Sequence, residues 1–574
     1  MDHTNNSTQK AQHKSLRIWP GVVIVIVQWL IRFIIPNFVQ EDIVTQTGVF
    51  GGILGGFAII IWWAFFSRAS LIERWLAIVL IIVSMLLTSQ FLDKSLETAM
   101  VGMMFVIYSI PVLSLAFVVW AVASRNFSTG LRRVTMVITI LLSIGFWAFL
   151  RTNGMDANAR HDFAWRWSKT AEEKLLTQDT DKIQTMITDS AILNAEAEWP
   201  GFRGRNRDGI IHGVRINTDW TKSPPVEMWR KAIGPGCSSF ASHGNLLFTQ
   251  EQRGEDEMVT CYTLNKGKLI WSHSDKARFW DSHAGAGPRS TPTLAGGRVY
   301  TLGGTGILNV LNVANGSVIW SRNAATDAGV KVLQWGFTSS PLVVNNIVIV
   351  ALSGKLAGYD IASGKPLWFG PDGGNSYSSP HLVTIDGVQQ VILMSHSGAL
   401  SVEPGSGKQL WKYDWEVEDR ILQPAVLSGG ELLIAGEYKS IRRIKITHAQ
   451  GIWSAKELWE SDEMKLNFND IVIHKGYAYG FDGPKIACAD LKDGKCLWRG
   501  NPYRGWLLLL ADQDLLLLLS EKGELVLVEA NPLGFKELAR FPAIKGKTWN
   551  HPVLVGNILL VRNNLEVAAF RLAL

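Results

Sequence analysis

The distribution of apolar and polar positions divides the chain into two parts of different character. Before residue 151, long apolar runs are separated by short loops, whereas later segments are short and alternate apolar with polar residues. Runs of about 17–25 apolar residues are long enough to cross the hydrocarbon core of a membrane as helices. The runs of this length are Ile18–Pro36, Gly48–Phe66, Trp75–Leu92, Ala99–Ala123 and Val134–Leu150. The pattern therefore predicts a domain of five transmembrane helices at residues 18–150, behind a polar tail at residues 1–17.

Basic residues in the short loops predict the orientation of these helices, because loops rich in Lys and Arg stay in the cytoplasm. One side carries Lys10, Lys14, Arg17, Arg68, Arg74, Arg125, Arg132 and Arg133, and the loops of the other side carry only Lys94. We expect the N-terminus to be cytoplasmic. Five crossings would then place everything after residue 150 outside the cytoplasm.

Two details of the apolar runs concern helix packing. Arg32 interrupts the first run near its outer end, where a long side chain can reach the polar interface. Snorkelling is the favoured interpretation of Arg32, and a buried functional charge is the alternative. The glycines of the segment Gly51–Gly56 suit close packing between helices and do not form a phosphate-binding loop.

Residues 151–198 are polar and are predicted to form a helical connector. The stretch Ala171–Leu176 is its clearest helical turn.

From residue 199 onward, strand-like segments recur and are followed by the same short turn motif. A strand ends in an acidic or amide residue, a turn contains Gly, and Trp follows four residues after that Gly, as in Tyr359–Trp368. Asp, Asn and Gly turn hairpins because Gly accepts positive φ and Asx side chains bond their own backbone. The Trp residues at this position are Trp229, Trp271, Trp320, Trp368, Trp411, Trp459 and Trp498, with Pro225 and Ala455 in place of the Gly before Trp229 and Trp459, and Leu538 occupies the eighth position. They are expected to dock each blade on its neighbour rather than to bind a substrate.

A period of about 40–50 residues in strand-rich sequence is typical of the four-stranded blade of a β-propeller. Eight outer strands predict an all-β eight-bladed β-propeller at residues 199–574. Val226–Arg230 is an outer strand without inner strands before it, and Phe541–Leu574 supplies strands without a further Trp phrase. The two segments are predicted to complete one blade together, because ring closure removes exposed sheet edges.

The repeated Gly-x-x-x-Trp phrase resembles the tryptophan-docking repeat of the PQQ-binding-like β-propellers, the quinoprotein dehydrogenase-like superfamily. That superfamily contains the quinoprotein dehydrogenases and an outer-membrane assembly lipoprotein. Trp199–Gly209, Gly287–Pro292 and Trp165–Trp167 resemble segments of its uncharacterised bacterial members. Five spans before such a propeller are similar in plan to the membrane-bound quinoprotein glucose dehydrogenase, whose spans deliver electrons to ubiquinone. The resemblance implies a protein of the bacterial inner (cytoplasmic) membrane with a periplasmic propeller.

Residues just before the inner strands of a propeller surround the mouth of its central channel. The candidate ligand-binding residues are Arg289, Trp335, Tyr377, Gln423, Asn469, Asp470, Trp506, Trp549 and His551, and Arg420 and Asn550 share their position. Aromatic walls with a few polar groups suit a small-molecule ligand. In the alternative interpretation, the aromatic side chains plug the channel and the polar ones close turns.

The resemblance implies strict demands for a quinoprotein mechanism. In those enzymes PQQ works with Ca²⁺, which takes a Glu and an Asn ligand, an Asp acts as base, and a vicinal Cys pair is common. This sequence has no adjacent cysteines, and Asn469–Asp470 is the only amide–acid pair near the mouth, with Asp419 a weaker candidate. No catalytic residue, metal site or cofactor is predicted. If the chain is an enzyme, Asp470 is the expected base and PQQ with calcium the expected cofactor.

Charge and cysteine content remove other classes of function. The net charge of +6 owes much to the basic loops of the membrane domain, so nucleic-acid binding is not expected. The four cysteines do not have the spacing of a zinc site. Cys488 and Cys496 flank one hairpin turn, and a disulfide and free thiols both remain open.

The preferred hypothesis is a membrane-anchored extracytoplasmic propeller that binds a small ligand or an envelope protein, with membrane lipid as its other partner. The alternative is a PQQ-dependent dehydrogenase that oxidises an alcohol or sugar and passes electrons to membrane quinone. A third hypothesis is an envelope assembly scaffold, which is disfavoured because no lipidation cysteine follows the first span.

Overall fold

The computed structural model describes residues 16–39, 42–156, 160–178, 196–418 and 420–574. The chain forms two compact units, Met1–Ser168 and Lys169–Leu574. Each unit is described by itself.

The first unit contains five helices long and apolar enough to cross a membrane, as the sequence predicts. These spans 1–5 are Trp19–Phe38, Ile43–Phe66, Leu71–Ser89, Met104–Asn126 and Thr129–Phe149. Span 3 begins four residues before the apolar run at Trp75, because Ser70 and Glu73 form a reciprocal capping box at its start. A short helix, Lys94–Thr98, lies between spans 3 and 4.

Aromatic rings and one ion pair hold spans 2–5 together. Trp63 of span 2 is buried, and its ring lies 4.8 Å from Phe117 and 5.6 Å from Trp120 of span 4. The Glu73 carboxylate of span 3 is buried and accepts a forked pair of hydrogen bonds from the Arg132 guanidinium of span 5, at 2.7–3.0 Å. This geometry offsets the desolvation of both charges.

Arg32 does not snorkel, because it is only 5% exposed. Its guanidinium lies 4.8 Å from the ring centre of Tyr108 and 5.1 Å from that of Phe33. Gly52 of span 2 lies against the arginine: a Cβ there would lie 3.3 Å from the Arg32 Cδ, so the glycine lets span 2 approach the side chain closely. The glycine segment of span 2 thus serves close helix packing.

Residues 150–165 form a β-hairpin, not the start of a helical connector. Its strands Leu150–Met155 and His161–Trp165 pair antiparallel. The ring centre of Phe163 lies 5.6 Å from that of Trp147 and 5.3 Å from that of Tyr108. This tertiary packing favours an extended segment over a helix. The expected helical turn is present as Ala171–Gln178, and residues 179–195 lie outside the described residues.

The second unit contains eight blades, each with four antiparallel strands; in blades 1–7 these strands follow the chain from the inner to the outer edge, and in blade 8 the outer strand comes from the start of the propeller sequence. The strands are: blade 1, Ala241–His243, Leu246–Arg253, Asp256–Thr263, Leu269–Lys276; blade 2, Thr293–Ala295, Arg298–Leu302, Ile307–Asn312, Val318–Asn323; blade 3, Leu342–Val344, Ile347–Leu352, Lys355–Asp360, Pro366–Asp372; blade 4, His381–Ile385, Val388–Ser395, Gly398–Val402, Gln409–Asp414; blade 5, Ala425–Leu427, Glu431–Ala435, Ile441–Ala449, Ile452–Ser461; blade 6, Val472–His474, Tyr477–Asp482, Lys485–Asp490, Cys496–Pro502; blade 7, Gly505–Leu510, Leu515–Ser520, Glu524–Glu529, Glu537–Pro542; blade 8, Val553–Val555, Ile558–Arg562, Glu566–Arg571 and Val226–Ala232. The eight-bladed propeller is confirmed.

Blade 8 combines both ends of the propeller sequence, as predicted. Its outer strand Val226–Ala232 pairs with Glu566–Arg571, and Trp229 stands opposite Ala569. Every sheet therefore finds a neighbour on each side, and the ring has no open end.

Six of the seven repeat tryptophans make the same contact with the next blade. The Trp320 indole donates to Ile361 O at 3.0 Å, and a Cβ on Gly364 would lie 2.6 Å from its ring. Equivalent bonds to a carbonyl of the following blade are made by Trp229, Trp271, Trp368, Trp459 and Trp498. Trp411 differs, since its indole donates to Gln390 Oε1 of its own blade. In blade 5 a tight turn at Gln450–Gly451 replaces the longer turn that supplies the carbonyl elsewhere.

Candidate functional site

The central channel is crossed by Trp199–Ile211, here called the plug segment. Trp199 pairs through its backbone with Ser242 of blade 1, and Pro200 O accepts from Leu294 N of blade 2 at 2.8 Å. At the other end, Ile210–Ile211 adds a short parallel strand to the inner edge of blade 7. Arg203 and Arg207 adopt positive φ, and these turns keep the segment compact enough to fit inside the ring.

Arg207 binds the free inner edges of blades 3 and 4. Its guanidinium donates to Ser340 O at 3.1 Å, to Pro380 O at 2.9 Å and to Pro341 O. Inner strands face the channel with carbonyls that no further strand can pair, so a buried side chain with five donors satisfies several of them. Burial lowers the pKa of Arg207 to about 10, so the side chain remains a cation at neutral pH.

Arg203 binds blade 6 and engages one of the candidate residues. Its Nη2 donates to Ile471 O at 2.7 Å, and its Nη1 lies 3.4 Å from Asp470 Oδ2. The other Asp470 oxygen accepts from Gln423 N at 2.8 Å. Burial raises the pKa of Asp470, while the nearby Arg203 cation and the Gln423 N–H oppose that rise. Asp470 is thus a buried link between the plug segment and two blades.

Three further candidates lie within the wall of the channel. The Gln423 Oε1 accepts from Ser379 N at 3.3 Å, and the Asn469 Nδ2 donates to Gly505 O, so each amide joins neighbouring blades. Arg289 is ion-paired with Asp281 of its own loop and donates to Gly285 O at 2.8 Å. Burial lowers the pKa of Arg289, but Cys237 and Asp281 raise it by more. The pKa of Arg289 is therefore above its usual value. These contacts are structural.

The aromatic candidates form a rim around the mouth. One group contains Trp506, which lies 3.8 Å from His551 between ring centres and donates to Trp549 O at 2.8 Å. The other contains Trp335 and Tyr377, whose ring centres are 4.7 Å apart. The aromatic rim is defined as His283, Trp335, Tyr377, Phe468, Trp506, Trp549 and His551, together with Lys547.

Lys547 connects the two groups and was missed by the sequence analysis. Its ammonium lies 4.2 Å from the Trp549 ring centre and donates to His283 O at 2.6 Å, while the His283 ring lies 6.1 Å from Trp335. Burial and the Arg289 charge lower the pKa of Lys547. Cys237 and the carboxylates of Glu521 and Asp281 oppose this shift. Its position four residues before His551 was the available signal, since that loop opens an inner strand.

Two buried histidines, His381 and His551 of the rim, are neutral in the folded chain. Burial lowers the pKa of His381 to about 3, with Arg207 and Arg203 adding to the effect. Burial also lowers the pKa of His551 well below its usual value, assisted by Arg203. The His551 ring stands edge-on to Phe202 of the plug segment, 5.1 Å between centres. Neither histidine is suited to exchange a proton near neutral pH.

The residues at the mouth do not fit PQQ with Ca²⁺. Calcium requires several oxygen ligands, yet the described part of the chain holds no cluster of three or more His, Cys, Asp or Glu that could bind a metal. Asp470 is already committed to Arg203, and Asp419 lies outside the described residues. The plug segment also occupies the channel beneath the rim.

All four cysteines are free thiols. In the hairpin, Cys488 stands opposite Trp498 and Cys496 stands opposite Ala489. The register shifts between these two pairs, so a β-bulge lies beside the two thiols.

Comparison with known proteins agrees with this fold. Residues 220–400 match the PQQ_2 family model, described as outer membrane protein assembly factor BamB. The protein of that name from Yersinia pestis is 23% identical over 291 residues, which span 48% of this chain and 61% of the relative, less than two thirds of its length. The chain thus carries a PQQ-like propeller preceded by a helical domain.

Two solved structures are similar to this chain at low sequence identity. BamB from Moraxella catarrhalis has a TM-score of 0.44 and 14% identity, over 60% of this chain and 97% of that chain. Quinohemoprotein alcohol dehydrogenase from Comamonas testosteroni has a TM-score of 0.49 and 14% identity, over 66% of this chain and 81% of that chain.

Proposed function

We propose that this chain is a membrane-anchored propeller that binds a protein partner of the cell envelope and catalyses no reaction. The aromatic rim is the proposed docking surface. The observation that carries this proposal is the plug segment, because it fills the channel beneath the rim and leaves a shallow aromatic surface above it.

The composition of the rim suits a protein partner. Large aromatic residues supply much of the binding energy of protein interfaces, and they cluster at the centre of the contact. Trp335, Trp506 and Trp549 are half-buried, so each is held in place by the propeller while part of its ring stays available. Lys547 adds one cation, which favours a partner with an acidic residue near its apolar contact.

Similarity to an outer membrane protein assembly factor supports a role in protein interaction in the envelope. Five apolar helices support anchoring in a membrane. The loop charges support an inner-membrane location with the propeller in the periplasm.

A dehydrogenase is the weaker candidate. Its cofactor would need oxygen ligands that the described residues of the mouth do not offer, and its base would need to be Asp470. That carboxylate is held by Arg203 and by the Gln423 N–H beneath the rim.

Site-specific photocrosslinking tests the proposal. A photoreactive phenylalanine placed at 335, 506 or 549 in the full chain should give adducts with a polypeptide in intact envelope membranes. The same residue at 533 is the control, because Leu533 is exposed in a turn at the opposite end of the strands. Adducts should weaken about tenfold when Trp549→Ala is combined with the probe at 335. Equal adducts at 533, or none at the rim, would contradict the proposal.

A further inference from the structure

Arg32 in span 1 is a buried cation with unused hydrogen-bond donors. It is 5% exposed, and its Nε and Nη2 atoms have no hydrogen-bond partner. Across the described part of the first unit, no carboxylate lies within ion-pair distance of Arg32. Asp156 on the hairpin accepts a hydrogen bond from Arg160 N through its Oδ1 at 2.9 Å.

The two unused atoms are neighbours on one edge of the guanidinium plane. Nε–H and Nη2–H point in parallel from that edge, and this geometry matches two oxygens of one phosphate or carboxylate group. The opposite face of the side chain is already occupied by the rings of Phe33 and Tyr108. The edge that oxyanions bind best is therefore buried without a hydrogen-bond partner.

Gln28 lies one turn before Arg32 and adds a second unused polar group. Its Nε2 donates to Gly52 O at 2.7 Å and more weakly to Ser114 Oγ at 3.4 Å, whereas its Oε1 has no partner although the residue is 2% exposed. Gly52 also lies against the Arg32 side chain. Span 2 thus brings both polar residues of span 1 to one place in the bundle.

The backbone of span 1 changes its winding at this point. Leu30–Ile34 is a π-helical turn, and Ile35 N bonds back to Leu30 O. Such single turns occur often at functional sites, because they re-aim the side chains they carry. Here the turn contains Arg32.

We propose that Arg32 binds an oxyanion at the outer half of the helical domain, where the unused Gln28 Oε1 can accept a hydrogen bond only from a hydroxyl of the ligand. A charged residue inside a membrane is costly unless it is matched, and intramembrane charges usually serve a ligand or an ion. The proposed ligand group is a phosphate or carboxylate with two oxygens free. It can come from the head group of a membrane lipid or from a free anion.

Native mass spectrometry of the full chain tests the proposal and separates the two sources. One arm uses nanodiscs of phosphatidylglycerol or of phosphatidylcholine, followed by release into detergent. The other arm adds inorganic phosphate to delipidated protein and measures the melting temperature. Retention of one phospholipid per chain identifies a lipid source, and a rise of several degrees with phosphate identifies a free anion.

The variants connect either result to the residue. Arg32→Gln should lower lipid retention about tenfold or remove the phosphate-dependent shift, whereas Arg125→Gln, an exposed arginine at the end of span 4, should behave like the parent chain. Arg32→Lys keeps the charge without the forked edge, so it should retain less ligand than the parent chain, and it serves if Arg32→Gln does not fold. The proposal is overturned if the parent chain shows neither retention nor shift. It is equally overturned if Arg32→Lys or Arg32→Gln matches the parent.

Discussion

Arg203 of the plug segment and Asp470 of blade 6 form an ion pair in the centre of the ring, with Nη1 and Oδ2 3.4 Å apart. Both side chains are more than nine-tenths buried. A segment that precedes the first blade thus closes the channel that the blades enclose. Any ligand or partner at the mouth meets this closed centre, and the aromatic rim above it is the surface left for binding.

Gly364→Ala should destabilise the propeller by about 3 kcal/mol or more. Gly364 has a φ of +70°, and a Cβ would lie 2.6 Å from Trp320 Cδ2, so both the backbone and the docked ring oppose a side chain. Urea unfolding of the full chain in detergent measures the loss.

Gly387→Ala is the matched control for that experiment. Gly387 has a φ of +75°, yet a Cβ there meets nothing within 4 Å. The backbone penalty alone should cost about 1 kcal/mol. Equal losses in the two variants would show that docking of Trp320 on Gly364 contributes little.

Arg562→Met should weaken the closure between blades 8 and 1 by about 3 kcal/mol. Arg562 is fully buried, and it donates to Thr249 Oγ1 at 2.6 Å and to the carbonyls of Gln250, Gly234 and Gly236. Removal of the guanidinium leaves these acceptors buried without donors. Thermal unfolding should show the loss, while Arg571→Met on the exposed outer face should change little. A stable Arg562→Met variant would contradict the closing role of this residue.

Glu437 should make the propeller less stable as pH rises through neutrality. Burial raises the pKa of Glu437 to about 7, while the Arg420 charge and the N–H groups of Ile421 and Leu422 oppose the rise. A raised folded-state pKa means that the contribution is fully present below the unfolded pKa near 4.5 and is lost above about 7. The difference in unfolding free energy corresponds to about 3 kcal/mol.

Glu437→Gln should therefore be more stable than the parent chain at pH 8.5 and similar to it at pH 5. The exposed Glu416→Gln serves as control and should follow the parent at both pH values. Melting temperatures of the parent chain and both variants between pH 5 and pH 8.5 test this expectation. A parallel pH profile for parent and Glu437→Gln would refute the assignment.

Reconstitution with PQQ and Ca²⁺ should give no dye-linked oxidation of alcohols or sugars. Asp470 lies 3.4 Å from the Arg203 cation and accepts the Gln423 N–H, so it is in no position to serve as ligand and base together. Dye reduction by the purified full chain measures this directly. Activity that depends on the cofactor and disappears in Asp470→Asn would replace the binding proposal by the enzyme.

A reporter that is active only outside the cytoplasm should be active when fused after Leu574. The expectation rests on the loop charges and on five crossings, which put the two ends of the helical domain on opposite sides. A cytoplasm-only reporter at the same place is the reciprocal control. Its activity there would reverse the orientation and leave the proposed periplasmic function without support.

The five spans, the eight blades and the closure of blade 8 follow from the sequence alone. Each depends on a local signal: the length of an apolar run, the alternation within a strand, or the turn that places Trp368 four residues after Gly364. Such signals act within one or two elements, so they can be read from neighbouring residues. The mouth positions also follow, because a repeat places the same loop at the same end of every blade.

Only the tertiary structure decided which of those residues face a ligand and which hold the wall. Arg203 and Arg207 look like loop arginines in the sequence, yet each is buried against carbonyls supplied by distant blades. Arg32 looked suited to the membrane interface, yet it is buried against Phe33, Tyr108 and Gly52. Asp470 is a buried link instead of a ligand-binding residue, and Lys547 joins the rim, for the same reason. The charge of a side chain is a local property, but its partners are set by contacts between segments far apart in the chain.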